Sequence, residues 1–145
     1  MDWNTRPADI ALLKGKTILL VEDNDLNRII ARTILANYEI TLIEAFDGAE
    51  AIGQFRNAKF DAVLMDLQMP VMDGLEATRI IRREIDPNIP IIALTANALE
   101  GDDQACLDAG MNAYIPKPYD ERVLIEALVL WTTNRVDAGA EGRIV

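Results

Sequence analysis

The stretch TILLVEDN, residues 17–24, decides the fold of this chain. It is a short apolar run that ends in two carboxylates, and AVLMD at residues 62–66 repeats the design. Nearly continuous apolar strands are typical of parallel sheets, which helices cover on both faces. Similar runs recur on either side of these two stretches. We predict five strands, over Thr17–Glu22, Ile40–Ala45, Ala62–Met65, Ile91–Thr95 and Ala113–Pro116.

Segments with helical spacing separate the predicted strands. The first, Leu26–Asn37, has one apolar face, made of Leu26, Ile29, Ile30 and Ile34. Asp25 is placed to cap its start. Four more helical segments follow, after Asp47, after Gly74, over Gly101–Ala109 and over Val123–Trp131. The alternation predicts an α/β fold, a doubly wound five-stranded parallel sheet in a (βα)₅ flavodoxin-like three-layer sandwich.

The length and composition favour one packed domain. The chain has 145 residues, half of them apolar, and we predict a domain over 16–133 between a lead-in, 1–15, and a tail, 134–145. Its net charge of −10 disfavours direct nucleic-acid binding, which needs clustered cations. Cys106 is the only cysteine, and no apolar stretch is long enough to span a bilayer. We therefore expect a cytoplasmic protein without a membrane segment.

Side chains that carry chemistry follow the predicted strands. Glu22 and Asp23 end the first strand, Asp66 the third and Thr95 the fourth, and Lys117 follows the fifth. They should converge on the crevice at the carboxyl edge of the sheet. Three carboxylates repel one another there unless a hard cation such as Mg²⁺ offsets them. A carboxylate beside such a cation can attack phosphorus, so the pattern predicts phosphoryl transfer, with the ammonium and the hydroxyl reading the new charge.

Four motifs in order resemble response-regulator receiver domains. They are VEDN at 21–24, LMDLQMPVMDG at 64–74, ALTANA at 93–98 and YIPKP at 114–118, and the resemblance covers about Lys16 to Trp131. The resemblance implies that Asp66 is the phosphoacceptor and, with Asp23, a direct Mg²⁺ ligand. It further implies that the backbone carbonyl of Gln68 is a ligand and that Glu22 binds through water. Mn²⁺ is expected to substitute for Mg²⁺.

The resemblance also implies a switch. Thr95 and Lys117 would bind the phosphoryl oxygens, and Tyr114 would turn inward when the threonine moves, although an aromatic residue in a strand is also typical of core packing. The Lys117–Pro118 peptide bond would be cis. Gln68 and Asn97 stand where family members tune the lifetime of the phosphoryl group, and both are neutral amides.

The implied function is a signalling switch whose phosphoryl donor is a phosphohistidine on a histidine kinase or histidine phosphotransfer protein. It is not an enzyme beyond its own phosphoryl acceptance and slow autodephosphorylation, and its output partner is open. The run MDLQMPVMDGLEATRIIR, 65–82, resembles receivers of hybrid histidine kinases, although a stand-alone regulator is also compatible.

Three other functions compete with this reading. A phosphatase of the haloacid-dehalogenase type needs a second aspartate two residues after the first, where this chain has Gln68. A flavodoxin-like cofactor binder needs a phosphate loop after the first strand, where this chain has the acidic EDND, 22–25. The third alternative is a receiver-like protein-interaction module that is not phosphorylated.

Overall fold

Five parallel strands form one sheet in the order β2-β1-β3-β4-β5, which confirms the predicted fold. The computed structural model describes residues 7–69, 71–96 and 103–133. The strands are β1 Thr17–Val21, β2 Thr41–Ala45, β3 Ala62–Asp66, β4 Ile91–Thr95 and β5 Ala113–Pro116. Each lies within one residue of its predicted bounds.

Helices cover both faces of the sheet. They are α1 Pro7–Ala11, α2 Asp25–Ala36, α3 Gly48–Gln54, α4 Gly74–Ile80 with a π-helical turn at Ile81–Ile85, α5 Asp103–Ala109 and α6 Glu121–Thr133. Alternate residues of β1 face opposite sides: Ile18 and Leu20 pack in the core with α2 and α6, and Leu19 and Val21 pack in the core with α3, α4 and α5. The result is the predicted three-layer sandwich.

Short polar side chains begin three of the helices. Asn24, not Asp25 as predicted, caps α2, and its side-chain oxygen accepts a hydrogen bond from the backbone N–H of Asn27 at 2.9 Å. Asp47 caps α3, and Asp73 caps α4 in the same way. Asp73 therefore has a structural role beside the acidic crevice.

Most of the apolar face of α2 is exposed, and of its four residues only Ile34 packs, partly buried, against the core. Leu26 is 64% exposed, Ile29 is 49% exposed and Ile30 is 36% exposed. The helix instead buries Arg28, Ala31 and Leu35, which also recur at helical spacing.

Arg28 can be buried because its guanidinium is satisfied. It donates to the backbone carbonyl of Glu22 at 2.9 Å, pairs with Asp25 and Glu44, and lies 4.4 Å from the ring centre of Phe46. These partners come from two stretches of the chain, 22–25 and 44–46, and the fold brings the second stretch to Arg28.

A second cation, the half-buried Arg82, ties the π-helical turn to the end of α5. Arg82 donates to the backbone oxygens of Gly110 at 2.8 Å and Asp86 at 3.2 Å, and to the side chain of Asn112 at 2.9 Å. We call these four residues the Arg82 cluster. Gly110 has a φ of +108°, the conformation that ends α5 as predicted.

Gly74 brings the loop after β3 directly onto the strand. A Cβ at this position would lie 2.3 Å from the backbone oxygen of Asp66, closer than any packing allows. The start of α4 therefore supports the strand end that carries Asp66 from directly behind.

The segment before β1 packs against the domain. α1 contacts α6, and Leu13 is fully buried in the core with α2 and α6. Across the described residues, every helix is too short or too polar to cross a bilayer.

Candidate functional site

Three carboxylates meet at the carboxyl edge of the sheet, where β1 and β3 end side by side. The chain reverses its winding direction between these two strands, so the flanking helices leave a crevice there. Glu22, Asp23 and Asp66 each offer a carboxylate oxygen, and the three oxygens lie within 4.8 Å of one another. Glu22 and Asp66 are buried, whereas Asp23 is exposed.

Lys117 joins the two buried carboxylates. Its Nζ lies 3.0 Å from Oε1 of Glu22 and 3.1 Å from Oδ1 of Asp66. The Lys117 backbone N–H donates to the carbonyl of Thr95 at 2.8 Å, which fixes the loop after β5 against the end of β4. One ammonium thus bridges two acids inside the protein.

Tyr119 completes this group, which we call the acid-site cluster: Glu22, Asp66, Lys117 and Tyr119. The Tyr119 hydroxyl donates to Oε1 of Glu22 at 2.9 Å, and the backbone N–H of Asn24 donates to Oε2 at 3.2 Å. The sequence reasoning did not anticipate Tyr119. The sequence feature that could have indicated this role is a tyrosine two residues after Lys117.

Burial and charge shift the protonation of these groups. Burial and the neighbouring Glu22 carboxylate raise the pKa of Asp66 to about 7. Burial also opposes ionisation of Glu22, but hydrogen bonds involving Asp66 and Lys117 outweigh it and lower the pKa of Glu22. The pKa of Lys117 is raised because both carboxylates outweigh its burial. The two acids therefore titrate as a coupled pair, in which Asp66 keeps its proton to a higher pH than Glu22.

The residues fit a hard divalent cation. Mg²⁺ prefers carboxylate and carbonyl oxygens and keeps several waters. Of the three acids, Asp23 faces solvent and Glu22 and Asp66 are buried, so the cluster lies at the protein surface on one side. Three carboxylates face one ammonium, that of Lys117, so a second positive charge would be stabilised here. The arrangement can bind a metal ion and present one buried carboxylate as a nucleophile.

Three of the other predicted site residues, Thr95, Gln68 and Tyr114, lie within the described part of the chain. Thr95 is buried at the end of β4, and Tyr114 is half-buried in β5 against the core with α3, α4 and α5. The backbone N–H of Gln68 donates to Oδ1 of Asp66 at 3.2 Å. The Lys117–Pro118 peptide bond is cis. Asn97 lies outside the described residues.

The fold and site define a class, that of open, doubly wound α/β domains with an acidic cation site at the carboxyl edge of the sheet. The response regulator receiver domain family matches residues 18–129, and the chain belongs to that family. It is a receiver domain of two-component phosphorelay signalling.

Curated relatives are much longer proteins. The chain is 38% identical over 123 residues to the sensor protein GacS of Pseudomonas syringae pv. syringae, a match that covers 82% of this chain and 14% of GacS. It is 40% identical over 116 residues to the autoinducer 2 sensor kinase/phosphatase LuxQ of Vibrio vulnificus, covering 80% of this chain and 14% of LuxQ. The chain thus spans about one seventh of each of these relatives.

Two solved structures bear on the site. The receiver domain of the sensor histidine kinase PA1611 from Pseudomonas aeruginosa is 44% identical with a TM-score of 0.76, over 81% of this chain and 98% of that one, and holds magnesium in its active-site cleft. The receiver domain of Ssk1 from Saccharomyces cerevisiae is 28% identical with a TM-score of 0.79, over 87% and 94% of the chains, and was solved with the histidine phosphotransfer protein Ypd1.

Proposed function

We propose that Asp66 accepts a phosphoryl group from a phosphohistidine and that the domain changes shape in response. The observation that carries the proposal is the position of Asp66, buried at the end of β3 beside Glu22 and 3.1 Å from the Lys117 ammonium. A buried carboxylate between a cation site and an ammonium is suited to act as a nucleophile toward phosphorus.

The proposed reaction is an in-line transfer. An Asp66 oxygen forms a bond to phosphorus while the bond from phosphorus to the histidine nitrogen breaks, and its electron pair returns to the imidazole. Asp23, Asp66 and the carbonyl of Gln68 would hold Mg²⁺, and Glu22 would hold it through water; Mn²⁺ would substitute. The ion would offset charge on the transferring oxygens. The fold positions the nucleophile, Asp66, and the two groups that would bind the phosphoryl oxygens, Lys117 and Thr95.

Lys117 and Thr95 bind the phosphoryl group once it is on Asp66. The new phosphoryl group carries nearly two negative charges and three acceptor oxygens. Lys117 pairs with one oxygen, and the Thr95 hydroxyl donates to another, which draws the end of β4 inward. Tyr114 then turns inward beside it. Gln68 and Asn97 set a slow autodephosphorylation, and this is the extent of the domain's enzymatic activity.

An exposed apolar face beside the site supports a protein as the donor. Leu26, Ile29 and Ile30 lie on α2, which begins two residues after Asp23, and together they offer an apolar surface next to the crevice. This surface suits a histidine phosphotransfer protein or a kinase domain that carries the phosphohistidine. Such a donor implies a cytoplasmic location. The net charge of −10 disfavours direct contact with nucleic acid.

Intact-mass spectrometry tests the acceptor. Incubation with acetyl phosphate and Mg²⁺ should add the mass of one phosphoryl group, and the gain should disappear in Asp66→Asn and without metal. If the unaltered protein gains no mass from acetyl phosphate or from a phosphohistidine donor, and does not bind beryllofluoride, the domain is a binding module without phosphorylation.

A second comparison tests the donor surface. Leu26→Lys should slow transfer from a phosphorylated histidine phosphotransfer protein, with Ypd1 as the probe, and leave the reaction with acetyl phosphate unchanged. Leu12→Lys is the matched control, because Leu12 is also exposed but lies beyond α1. Equal slowing with both donors would mean that Leu26 acts on the site itself.

A further inference from the structure

The Glu22 carboxylate depends on two different donors at one oxygen. Glu22 is fully buried, and its Oε1 accepts from the Lys117 ammonium at 3.0 Å and from the Tyr119 hydroxyl at 2.9 Å. One donor is charged and also lies 3.1 Å from Asp66, whereas the other is a neutral hydroxyl that donates to Glu22. The two donors therefore have different consequences when the site changes state.

A phosphoryl group on Asp66 would compete with Glu22 for Lys117. If the ammonium turned away, Oε1 of a fully buried carboxylate would lose its charged partner, and an unsatisfied buried charge is costly. The Tyr119 hydroxyl remains available because it belongs to a different residue, whose ring packs against the core with α2 and α6. It can keep Glu22 hydrogen-bonded while Lys117 moves.

We propose that Tyr119 is a positioning residue that holds Glu22 in place and thereby releases Lys117 to the phosphoryl group. The proposal rests on the proposed function of Asp66 and adds a named residue to it. The Tyr119 hydroxyl already donates to Glu22 beside Lys117 and the N–H of Asn24, and its contribution becomes larger in the phosphoryl-bound state, when Lys117 has turned away.

Tyr119→Phe tests the inference by removing one oxygen atom and keeping the ring. We expect the dissociation constant for Mg²⁺, measured by titration calorimetry, to change by less than about twofold. The dissociation constant for beryllofluoride at saturating Mg²⁺, followed by ¹⁹F NMR, should rise about three- to tenfold, the effect of one hydrogen bond. A loss of packing alone would not separate the two constants.

Tyr38→Phe is the matched control. Its hydroxyl donates to Glu121 at 2.6 Å and has no contact with the acid-site cluster among the described residues, so neither constant should change. Glu22→Gln supplies a second test, because the buried charge is then absent. In that background, Tyr119→Phe should alter beryllofluoride binding by less than about twofold.

Three results would overturn the inference. Beryllofluoride binding that Tyr119→Phe leaves unchanged would show that the hydroxyl has no such role. An equal loss of Mg²⁺ and beryllofluoride affinity would place its role at the metal site instead. Unaltered protein that binds Mg²⁺ but no beryllofluoride would overturn the proposed phosphoryl acceptance, and the release of Lys117 with it.

Discussion

The acid-site cluster and the Arg82 cluster both surround one largely buried cation, but with different acceptors. Lys117 lies between two carboxylates, Glu22 and Asp66. Arg82 donates to two backbone oxygens and to the amide oxygen of Asn112. The first group has more negative than positive charge when both acids are ionised, whereas the three oxygens that accept from Arg82 are neutral and have no proton to gain at ordinary pH; the Asp86 carboxylate acts on Arg82 through its charge.

This difference separates a reactive arrangement from a structural one. Neutral acceptors hold a guanidinium in one geometry, and nothing in solution competes for them strongly. Carboxylates bind a proton, an ammonium or a metal ion, so the acid-site cluster can exchange its partners. We therefore expect substitutions at Arg82 to change stability and substitutions at Lys117 to change ligand binding.

Arg82→Met should have the largest effect. It removes the hydrogen bonds to Gly110, Asp86 and Asn112 and should lower the free energy of unfolding by about 3 kcal/mol, measured by urea denaturation. The reaction with acetyl phosphate should persist while the protein is folded. Arg83→Met is the control, since Arg83 is exposed and pairs with Glu84, and it should cost less than about 0.5 kcal/mol.

Lys117→Met should strengthen Mg²⁺ binding about tenfold, because the ammonium no longer competes with the metal for Glu22 and Asp66. Titration calorimetry measures the change, and beryllofluoride binding should weaken in the same variant. Lys14→Met, which removes an exposed lysine paired with Glu39, should leave both unchanged. Unaltered Mg²⁺ affinity in Lys117→Met would mean that the two cations occupy separate places.

Asp66 should add its own pH dependence to stability, opposite in sign to that of Glu22 and Glu44, whose pKa values are lowered. The pKa of Asp66 is raised from 3.8 to about 7 on folding, so the folded state binds more protons than the unfolded state in this window. The free energy of unfolding, relative to Asp66→Asn, should therefore fall as the pH rises from about 4 to about 7. Urea denaturation at a series of pH values checks this, and a flat difference between the two proteins would contradict it.

Asn112→Asp should have the smallest effect, because the new carboxylate keeps an oxygen for Arg82 and for the backbone N–H of Ile91. The stronger ionic hydrogen bond and the cost of burying its charge should nearly cancel, within about 1 kcal/mol. Urea denaturation at pH 7 measures the difference. A loss above about 2 kcal/mol would show that this cluster needs neutral acceptors.

The sequence predicts the sheet well because each strand carries its own local signal. TILLV and AVLMD read as buried strands wherever they stand, and the motif residues follow from where those strands end. The convergence of Glu22, Asp23 and Asp66 then requires only that the strands be parallel. The chain's own pattern is sufficient for this part of the site.

The errors arise where burial depends on partners far away in the sequence. Apolar content favours the wrong side of α2, because nothing local shows that Arg28 will find Glu44 and Phe46. Tyr119 looks like an ordinary core aromatic until its hydroxyl is seen against Glu22, 97 positions earlier. The π-helical turn at Ile81–Ile85 likewise has no local signature that we recognised.

The contact between α1 and α6 has a consequence for modular architecture. The first and last helices of the described residues touch and pack into the same core on one face of the sheet. A domain whose first and last elements lie close together can be inserted into longer proteins without changes to its core. GacS and LuxQ each contain a similar stretch that makes up about one seventh of their length, as expected for a domain that occurs within longer proteins.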